Sequence, residues 1–455
     1  LENYIKQGMT DWNIPGLAIA IVKDGKAVVM KGFGVRNLQT NEPVDENTLF
    51  MIASNSKFFT ATALAKLDGE KKLSLDDHIT KFFPDFKMYD SSVTGMVNIR
   101  DMLSHHQGTK TFQGDFTFWN SSISRREIMY KMRFLKPSQN FRQSYGYCNS
   151  CFLTAGEIIP VVTGKPWEVY VHDEITSALD MTRTTTLGTG MSQMENAASP
   201  YSNTYSEGYT TLPYDNIDNL APAGSMLSSV KDLSLWLMMQ LDSGRYNGKQ
   251  IIPWQALRKT RQMQTILSSE KGARINSHFI GYCLGVLVAD YNGKQVYWHT
   301  GGADGFVTNT CFVPEEKLGI TILTNNDNQE FFELLRLQIL DAYLDMPYRN
   351  RSKLALPEHN TERKEMLDQL AAFKKRLAGN TPPLPLASYA GIYENTLYGN
   401  ISISVNANKL LVKFPGHAGL TALMQYMDND EWIISYSNPV FGIFPIKFTS
   451  EGDAV

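Results

Sequence analysis

Short β-rich segments lie at both ends of the first three-quarters of the 455-residue chain, and a long helical stretch lies between them. Near the start, two apolar runs flank the pair Asp24-Gly25, which predicts a β-hairpin. Later, four β-rich runs follow one another with only glycines or short polar turns between them: 279–288, 296–299, 306–313 and 318–323. This spacing predicts an antiparallel meander. The whole pattern favours an α+β domain whose two terminal segments share one sheet.

The chain is long enough to need more than one hydrophobic core. It exceeds the size at which single cores usually stop growing, so we expect a large domain over 1–348 and a small one over 386–455. The intervening segment, 349–385, is charged, contains a predicted helix from Thr361 to Leu377 and ends in three prolines, as interdomain connectors often do. After it, strand and turn patterns predict a small all-β barrel or sandwich.

Composition excludes several classes of function. The net charge of -3 and the scattered Lys and Arg residues give no electrostatic footprint for nucleic acid. Four cysteines are too few for a disulfide framework in a chain of this length. No apolar run is long enough to span a bilayer. The adjacent His105 and His106 would point apart, and no glycine run has phosphate-loop spacing, so neither a metal nor a cofactor is predicted.

A serine and a lysine stand three residues apart at the start of a predicted helix, where Ser54 and Lys57 would share one face. The serine hydroxyl is a poor nucleophile until a base takes its proton, and a lysine can do so only if its pKa is lowered. The same S-x-x-K spacing recurs at Ser228–Lys231 and Ser268–Lys271. A helix N-cap serine with a solvated lysine is the simpler interpretation of such a motif, and it fits Ser228.

What distinguishes Ser54 is the order of the segments around it. Those segments are Phe50 to Ala53, Ile99 to His105, Tyr147-Cys148-Asn149, Ala221 to Ser229, and His299 to Gly302 followed by Gly305-Phe306. In this order they resemble the serine β-lactamase-related family, which includes class C β-lactamases and penicillin-binding proteins. The resemblance covers roughly 1–348 and implies a β-lactamase/transpeptidase-like antiparallel sheet flanked by helices.

The resemblance also implies a role for each matching residue. Ser54 would be the nucleophile, with Lys57 and Tyr147 as the coupled general base and acid, and the lysine ammonium would favour loss of the phenol's proton. The N–H groups of Ser54 and Gly302 would form an oxyanion hole on an edge strand. The substrate would be bound by Asn149, His299, Gly301 and Gly302.

Two features depart from the family pattern. Where members commonly carry the lysine of K-T-G, this chain has His299, which is mostly uncharged at pH 7 unless a neighbour raises its pKa. A permanent cation for a substrate carboxylate is therefore missing, which argues against efficient β-lactam hydrolysis. Cys148 and Cys151 form a C-x-x-C without a thioredoxin-like context, which favours packing over redox chemistry.

We therefore expect a hydrolase that cleaves an amide of a small peptide, including peptides with D-residues, through an acyl-enzyme on Ser54. Ester cleavage is the close alternative, and weak β-lactamase activity is a third. A sensor that is acylated without turnover, or a binding module that keeps the scaffold, is a different class of function. Loops at Thr109–Ser122 and Asn203–Tyr214 would set the substrate.

The segment from Asn395 to Trp432 resembles the lipocalin-like domain appended to some members, which can sit near the active-site mouth and narrow substrate choice. A stabilising or surface-binding module is the alternative interpretation. The resemblance implies export to the periplasm or cell surface of a bacterium. Because the chain begins with Leu1, we expect a processed or trimmed form.

Overall fold

The computed structural model describes residues 1–272, 275–377 and 379–449. Its main sheet has eight antiparallel strands: β1 (Gly16–Lys23), β2 (Lys26–Gly34), β3 (Thr265–Ser268), β4 (Ile280–Tyr282), β5 (Leu287–Tyr291), β6 (Lys294–Ala303), β7 (Phe306–Val313) and β8 (Leu318–Thr324). Across the sheet the order is β2-β1-β8-β7-β6-β5-β4-β3. Since β1 pairs with β8, with Leu17 opposite Thr324, the predicted sheet shared by the two terminal segments is confirmed.

Helices cover both faces of this sheet. They are α1 (Glu2–Asp11), α2 (Ser56–Gly69), α3 (Ser91–Met96), α4 (Ile99–Leu103), α5 (Asp115–Phe118), α6 (Arg125–Lys131), α7 (Asn149–Gly156), α8 (Ile158–Thr163), α9 (Trp167–Val171), α10 (Ala221–Gly224), α11 (Val230–Leu241), α12 (Trp254–Leu257), α13 (Phe331–Tyr343) and α14 (Arg351–Arg376). In β1, Leu17, Ile19 and Ile21 face the core beside α1 and α13, while alternate residues face the core around α2. Burial on both faces explains the nearly continuous apolar run of β1.

Two strand predictions need correction. The run 279–288 forms two strands, β4 and β5, because the chain turns at Gly285, which has a φ of 73°. The strand that carries Gly302, β6, was expected at the edge of the sheet, and this prediction is wrong because β6 lies between β7 and β5. However, β5 ends its pairing at Leu287 opposite Trp298, so residues 299–303 extend past it and pair only with β7.

The connector helix begins ten residues earlier than predicted. It was expected from Thr361 but starts at Arg351 and passes through Pro357. A proline usually marks a helix boundary, yet here the first turn is anchored on the large domain. Trp12 Nε1 donates to Ser352 Oγ at 2.8 Å, and Arg351 pairs with Asp341 at 2.5 Å.

The C-terminal strands form a separate all-β unit, as predicted. They are β9 (Gly391–Asn395), β10 (Gly399–Asn406), β11 (Lys409–Lys413), β12 (Thr421–Tyr426), β13 (Glu431–Tyr436) and β14 (Ile443–Lys447), paired in sequence order. Among the described residues no ladder joins β9 to β14, so this is a curled sheet. Its inner face holds a core that includes Leu410, Met424 and Trp432, and Phe116 of the large domain packs against that core.

Three short ribbons complete the strand pairing: Phe50–Met51 with Leu227–Ser228, Tyr201–Ser202 with Thr210–Thr211, and Arg245–Tyr246 with Lys249–Gln250. The four cysteines are buried free thiols: Cys148, Cys151, Cys283 and Cys311. Within the described ranges, no helix is both long and apolar enough to cross a membrane.

Candidate active site

Ser54 lies in a single 3-10 turn, Ala53–Asn55, immediately before α2. It is the one partly exposed residue between Phe50 and Ala65, since every other side chain in this run is buried. Ala53 has a φ of 46°, in the left-handed region that a non-glycine residue adopts only when its surroundings hold it there. Ser56 holds it, because its hydroxyl donates to the Ala53 carbonyl at 2.6 Å and accepts from the Met226 N–H at 3.1 Å. The turn therefore presents one hydroxyl from a rigid buried segment.

Lys57 is completely buried on α2, one turn after Ser54. Its Nζ lies 3.0 Å from Ser54 Oγ, 2.6 Å from Asn149 Oδ1 and 2.6 Å from the Ala223 carbonyl. Burial lowers its pKa from 10.5 to about 7. At neutral pH a substantial fraction of the side chain is therefore an uncharged amine, whose lone pair can accept a proton from Ser54.

Tyr147 lies on the other side of the lysine. Lys57 Nζ is 4.7 Å from the centre of the Tyr147 ring, and the ring of the buried His105 packs against the phenol at 4.4 Å between centres. Burial raises the pKa of Tyr147 well above its usual value, and a hydrogen bond with Ser54 offsets this only in part. This direction is opposite to the expected easy loss of the phenol's proton, because desolvation by burial outweighs the hydrogen bond with Ser54.

Asn149 connects Lys57 to a residue that the motifs did not identify. Its Oδ1 accepts from Lys57 at 2.6 Å, and its Nδ2 donates to Oδ2 of Asp115 at 2.6 Å. Burial raises the pKa of Asp115 to about 6. One Nδ2 hydrogen of Asn149 is used by this carboxylate, which leaves the other for a further acceptor. The only sequence signal for Asp115 was its place in the loop predicted to set the substrate.

His299 has both ring nitrogens engaged. Nδ1–H donates to the Thr300 carbonyl at 2.6 Å, and Nε2 accepts from the Tyr282 hydroxyl at 2.9 Å. These partners fix one neutral tautomer. Burial, together with the nearby Lys57, lowers the pKa of His299 to about 3. The imidazole is therefore uncharged at neutral pH and contributes no cation.

The two glycines that follow face in different directions. A Cβ built on Gly301 would stand 2.0 Å from the Ile52 carbonyl, so the missing side chain lets β6 approach the turn that carries Ser54. A Cβ on Gly302 would meet nothing within 4 Å, and Gly302 lines the same cavity as Ser54. The structure thus places Gly302 beside the predicted site and Gly301 behind it.

The competing serines are in unrelated surroundings. Ser228 is buried and its hydroxyl pairs with that of Thr184 at 2.8 Å. The N-cap of α11 is Ser229, whose hydroxyl accepts from the Asp232 N–H, so the N-cap role expected for Ser228 is wrong by one residue. Ser268 lies on the sheet-edge strand β3. Neither lines the cavity that contains Ser54.

That cavity has a volume of about 910 Å³, and both domains form it. Its walls are largely aromatic: Phe112, Phe116, Trp119, Tyr145, Tyr147, Tyr282 and, from the C-terminal domain, Phe441. Among the described residues of the lining, the ionisable carboxyl groups are those of Asp115 and Asp304, and none is a Lys or Arg. Among the described residues, no cluster of three or more His, Cys, Asp or Glu could hold a metal ion.

A buried carboxyl pair stands at the rim where the two domains meet. The Asp304 N–H donates to Asp215 Oδ2 at 2.8 Å, and Asn438 of the C-terminal domain donates to Asp304 Oδ2 at 3.2 Å. Asn120 Nδ2 reaches both carboxyl groups. Burial and the neighbouring Asp215 raise the pKa of Asp304 to about 9, and burial also raises that of Asp215. The pair therefore retains at least one proton at neutral pH.

Residues 1–344 match the family model described as Beta-lactamase. The chain is 27% identical over 421 residues to "Unguisins hydrolase ungD'" of Aspergillus campestris (strain IBT 28561), which covers 88% of this chain and 76% of that protein. It is similar in structure to an octameric penicillin-binding protein homologue from Pyrococcus abyssi, with TM-score 0.67, 22% identity and coverage of 95% of this chain and 92% of the other. It is also similar to a D-stereospecific amidohydrolase from Streptomyces sp., with TM-score 0.59, 20% identity and coverage of 71% and 94%.

Proposed function

This chain belongs to the Beta-lactamase family of serine hydrolases, and we propose that it cleaves an amide bond of a small peptide through an acyl-enzyme on Ser54. The observation that carries this proposal is the fully buried Lys57, whose Nζ is 3.0 Å from Ser54 Oγ and whose pKa is lowered to about 7 by burial. A neutral amine in contact with a serine hydroxyl is what nucleophilic catalysis at neutral pH requires.

In the proposed acylation step, Lys57 takes the proton of Ser54 while Oγ bonds to the substrate carbonyl carbon. The N–H groups of Ser54 and Gly302 would stabilise the resulting oxyanion. When the carbon–nitrogen bond breaks, the leaving amine takes a proton from the Tyr147 hydroxyl, and the Lys57 ammonium returns one to the phenolate. The raised pKa of Tyr147 supports this role, because the phenol holds a proton until the amine needs it.

In the proposed deacylation step, water gives a proton to the same base and bonds to the acyl carbon. Ser54 Oγ then leaves and recovers its proton, so the free enzyme returns with one carboxylic acid and one amine released. A protein that is acylated but lacks this second step would be a sensor.

The cavity supports an uncharged or cationic substrate with large apolar groups. Its aromatic walls offer apolar contact, while His299 is neutral and the lining residues that the structure describes include no Lys or Arg. The same features disfavour a β-lactam, whose carboxylate would meet no Lys or Arg among the described lining residues. We include D-residue peptides in the proposal because one structural neighbour is a D-stereospecific amidohydrolase.

The test compares wild type, Ser54→Ala and the matched control Ser268→Ala, which removes another serine of the same S-x-x-K spacing. Intact-mass spectrometry after fluorophosphonate treatment should show one adduct on wild type and Ser268→Ala and none on Ser54→Ala. The three proteins are then assayed on D- and L-amino-acid p-nitroanilides, p-nitrophenyl esters and a chromogenic cephalosporin.

Steady turnover of the anilides that is lost only in Ser54→Ala is the expected result. Turnover of esters alone would make the protein an esterase, and a stoichiometric burst without turnover would make it a sensor. Labelling of Ser54→Ala equal to that of wild type would contradict the assignment of the nucleophile.

A further inference from the structure

Two neighbouring residues of the short helix α5 face different domains. Asp115 hydrogen-bonds to Asn149 at 2.6 Å within the site of the large domain. The next side chain, Phe116, packs against the core of the C-terminal domain, with ring centres 5.6 Å from Phe441 and 5.0 Å from His417. We propose that Asp115 is a positioning residue for Asn149 and Lys57, and that the C-terminal domain holds Asp115 in place through Phe116. This inference rests on the proposed function.

The first step concerns the orientation of the Asn149 amide. An ionised carboxylate only accepts hydrogen bonds, so Asp115 can pair only with the NH₂ end of that amide. With Nδ2 held by Asp115, Oδ1 must face the other way, where it accepts from Lys57 Nζ at 2.6 Å. The reversed amide would place its NH₂ group against the donors of Lys57. Asp115 therefore fixes which end of Asn149 the lysine meets, and with it the place of Nζ beside Ser54.

The second step concerns what holds Asp115. Helix α5 has only four residues and follows Gly114, which has no side chain to cap it, so α5 is too short to be stable by itself. Its contacts with the C-terminal domain are numerous and specific. His417 Nε2–H donates to the Phe116 carbonyl at 2.6 Å, and the Ser122 N–H donates to the Gly416 carbonyl at 2.9 Å just beyond the helix.

The third step concerns the region of the C-terminal domain that makes these contacts. His417 is buried against Phe116 and lines a separate crevice between the domains, not the cavity that contains Ser54. His417 also lies 6.2 Å, between ring centres, from Phe441, which lines that cavity. An effect of His417 that passes through α5 depends on Asp115, whereas an effect that passes through Phe441 does not. His417 is therefore a position from which the link can be tested without replacing a residue that lines the cavity.

The experiment uses a fluorophosphonate, a small probe whose reaction reports on the chemistry of the site. It measures the second-order rate constant for labelling of Ser54 over a range of pH. The proteins are wild type, His417→Ala, Phe116→Leu, Asp115→Leu, Asp115→Asn and the double variant His417→Ala/Asp115→Leu. The control is Lys131→Ala, which removes interdomain hydrogen bonds to the Thr396 and Leu397 carbonyls from a residue outside α5, while Thr117 of α5 keeps its own bond to the Leu397 carbonyl.

We expect Asp115→Leu to lower the rate constant by about tenfold or more, since small misplacements of reacting groups are costly. Asp115→Asn keeps an acceptor and should recover most of this loss. The acid limb of its pH–rate profile should lie at lower pH, because the carboxylate that raises the pKa of Lys57 is gone. A residue with a purely structural role would not shift that limb. His417→Ala and Phe116→Leu should also label more slowly, while Lys131→Ala labels like wild type.

The double variant gives the decisive comparison. If the C-terminal domain acts through Asp115, His417→Ala slows labelling in the wild-type background but has no further effect in Asp115→Leu. The inference would be overturned, with the proposed function unaffected, if His417→Ala slowed labelling equally in the wild-type and Asp115→Leu backgrounds. It would also be overturned if His417→Ala and Phe116→Leu were both labelled as fast as wild type. Failure of wild type to be labelled at all would instead overturn the proposed function, and the inference with it.

Discussion

The Nζ atom of Lys57 lies 3.0 Å from the Oγ atom of Ser54, one helical turn earlier, and protein surrounds the amine completely. Because burial lowers the pKa of Lys57 to about 7, the amine gains a free lone pair as pH rises through neutrality. We predict that kcat/KM for a neutral p-nitrophenyl ester rises with pH through about 7 and then levels. Lys57→Arg, which cannot lose its proton, should be slower by about 100-fold or more at every pH. An acid limb near the ordinary lysine pKa would contradict this assignment.

The adjacent glycines of β6 provide a matched pair of substitutions. A Cβ at Gly301 would collide with the Ile52 carbonyl at 2.0 Å, whereas a Cβ at Gly302 meets open space. Gly301→Ala should therefore lower the free energy of unfolding by about 1–3 kcal/mol and displace the Ser54 turn, with loss of fluorophosphonate labelling. Gly302→Ala should leave the free energy of unfolding within about 0.5 kcal/mol of wild type. Chemical denaturation measures both, and equal destabilisation by the two would show that the close approach to Ile52 is not what requires Gly301.

The sequence predicts the parts of this molecule that depend on local pattern. The hairpin at Asp24-Gly25 and the C-terminal strands follow from apolar runs and turn residues, and the order of motifs brings Ser54, Lys57, Tyr147 and Asn149 to one cavity. The wrong predictions of secondary structure have other causes. Pro357 marks a local boundary that tertiary anchoring of α14 overrides, and the turn at Gly285 divides a run that is uniformly β-rich in composition.

The site residues that the sequence did not identify all make their contacts with residues that are far away in the sequence. Asp115 meets Asn149 across 34 residues, Asp215 meets Asp304 across 89, and Asn438 meets Asp304 across 134. None belongs to a motif with recognisable spacing, because each lies in a loop, in the four-residue helix α5 or on another domain. A single sequence contains no signal for such pairs, whereas the Ser54–Lys57 pair is three residues apart and therefore visible.

The charges of the cavity predict discrimination against anions. At pH 7.5 Asp115 is mainly ionised, since its pKa is raised only to about 6, and His299 is neutral. We expect kcat/KM for mono-p-nitrophenyl succinate to be lower by about tenfold or more than for p-nitrophenyl butyrate, an ester of similar size without the carboxylate. Asp115→Asn should narrow that ratio. Asp304→Asn should leave it unchanged, because the carboxyl of Asp304 is already protonated at this pH. Equal rates for both esters in wild type would refute the electrostatic argument.

The raised pKa of Asp304 also predicts how the free energy of unfolding depends on pH. Its pKa is raised from 3.8 to about 9 in the folded protein by burial and by Asp215, so between these values the folded state binds more protons than the unfolded chain. The stabilisation from this proton is complete below about pH 4 and is lost as pH rises through about 9. Chemical denaturation at several pH values between these limits measures this effect. The free energy of unfolding of wild type should fall with rising pH more steeply than that of Asp304→Asn, because the substituted side chain cannot ionise. The exposed Asp345→Asn serves as the control and should follow the wild-type curve, whereas parallel curves for wild type and Asp304→Asn would show that Asp304 is not the group that titrates.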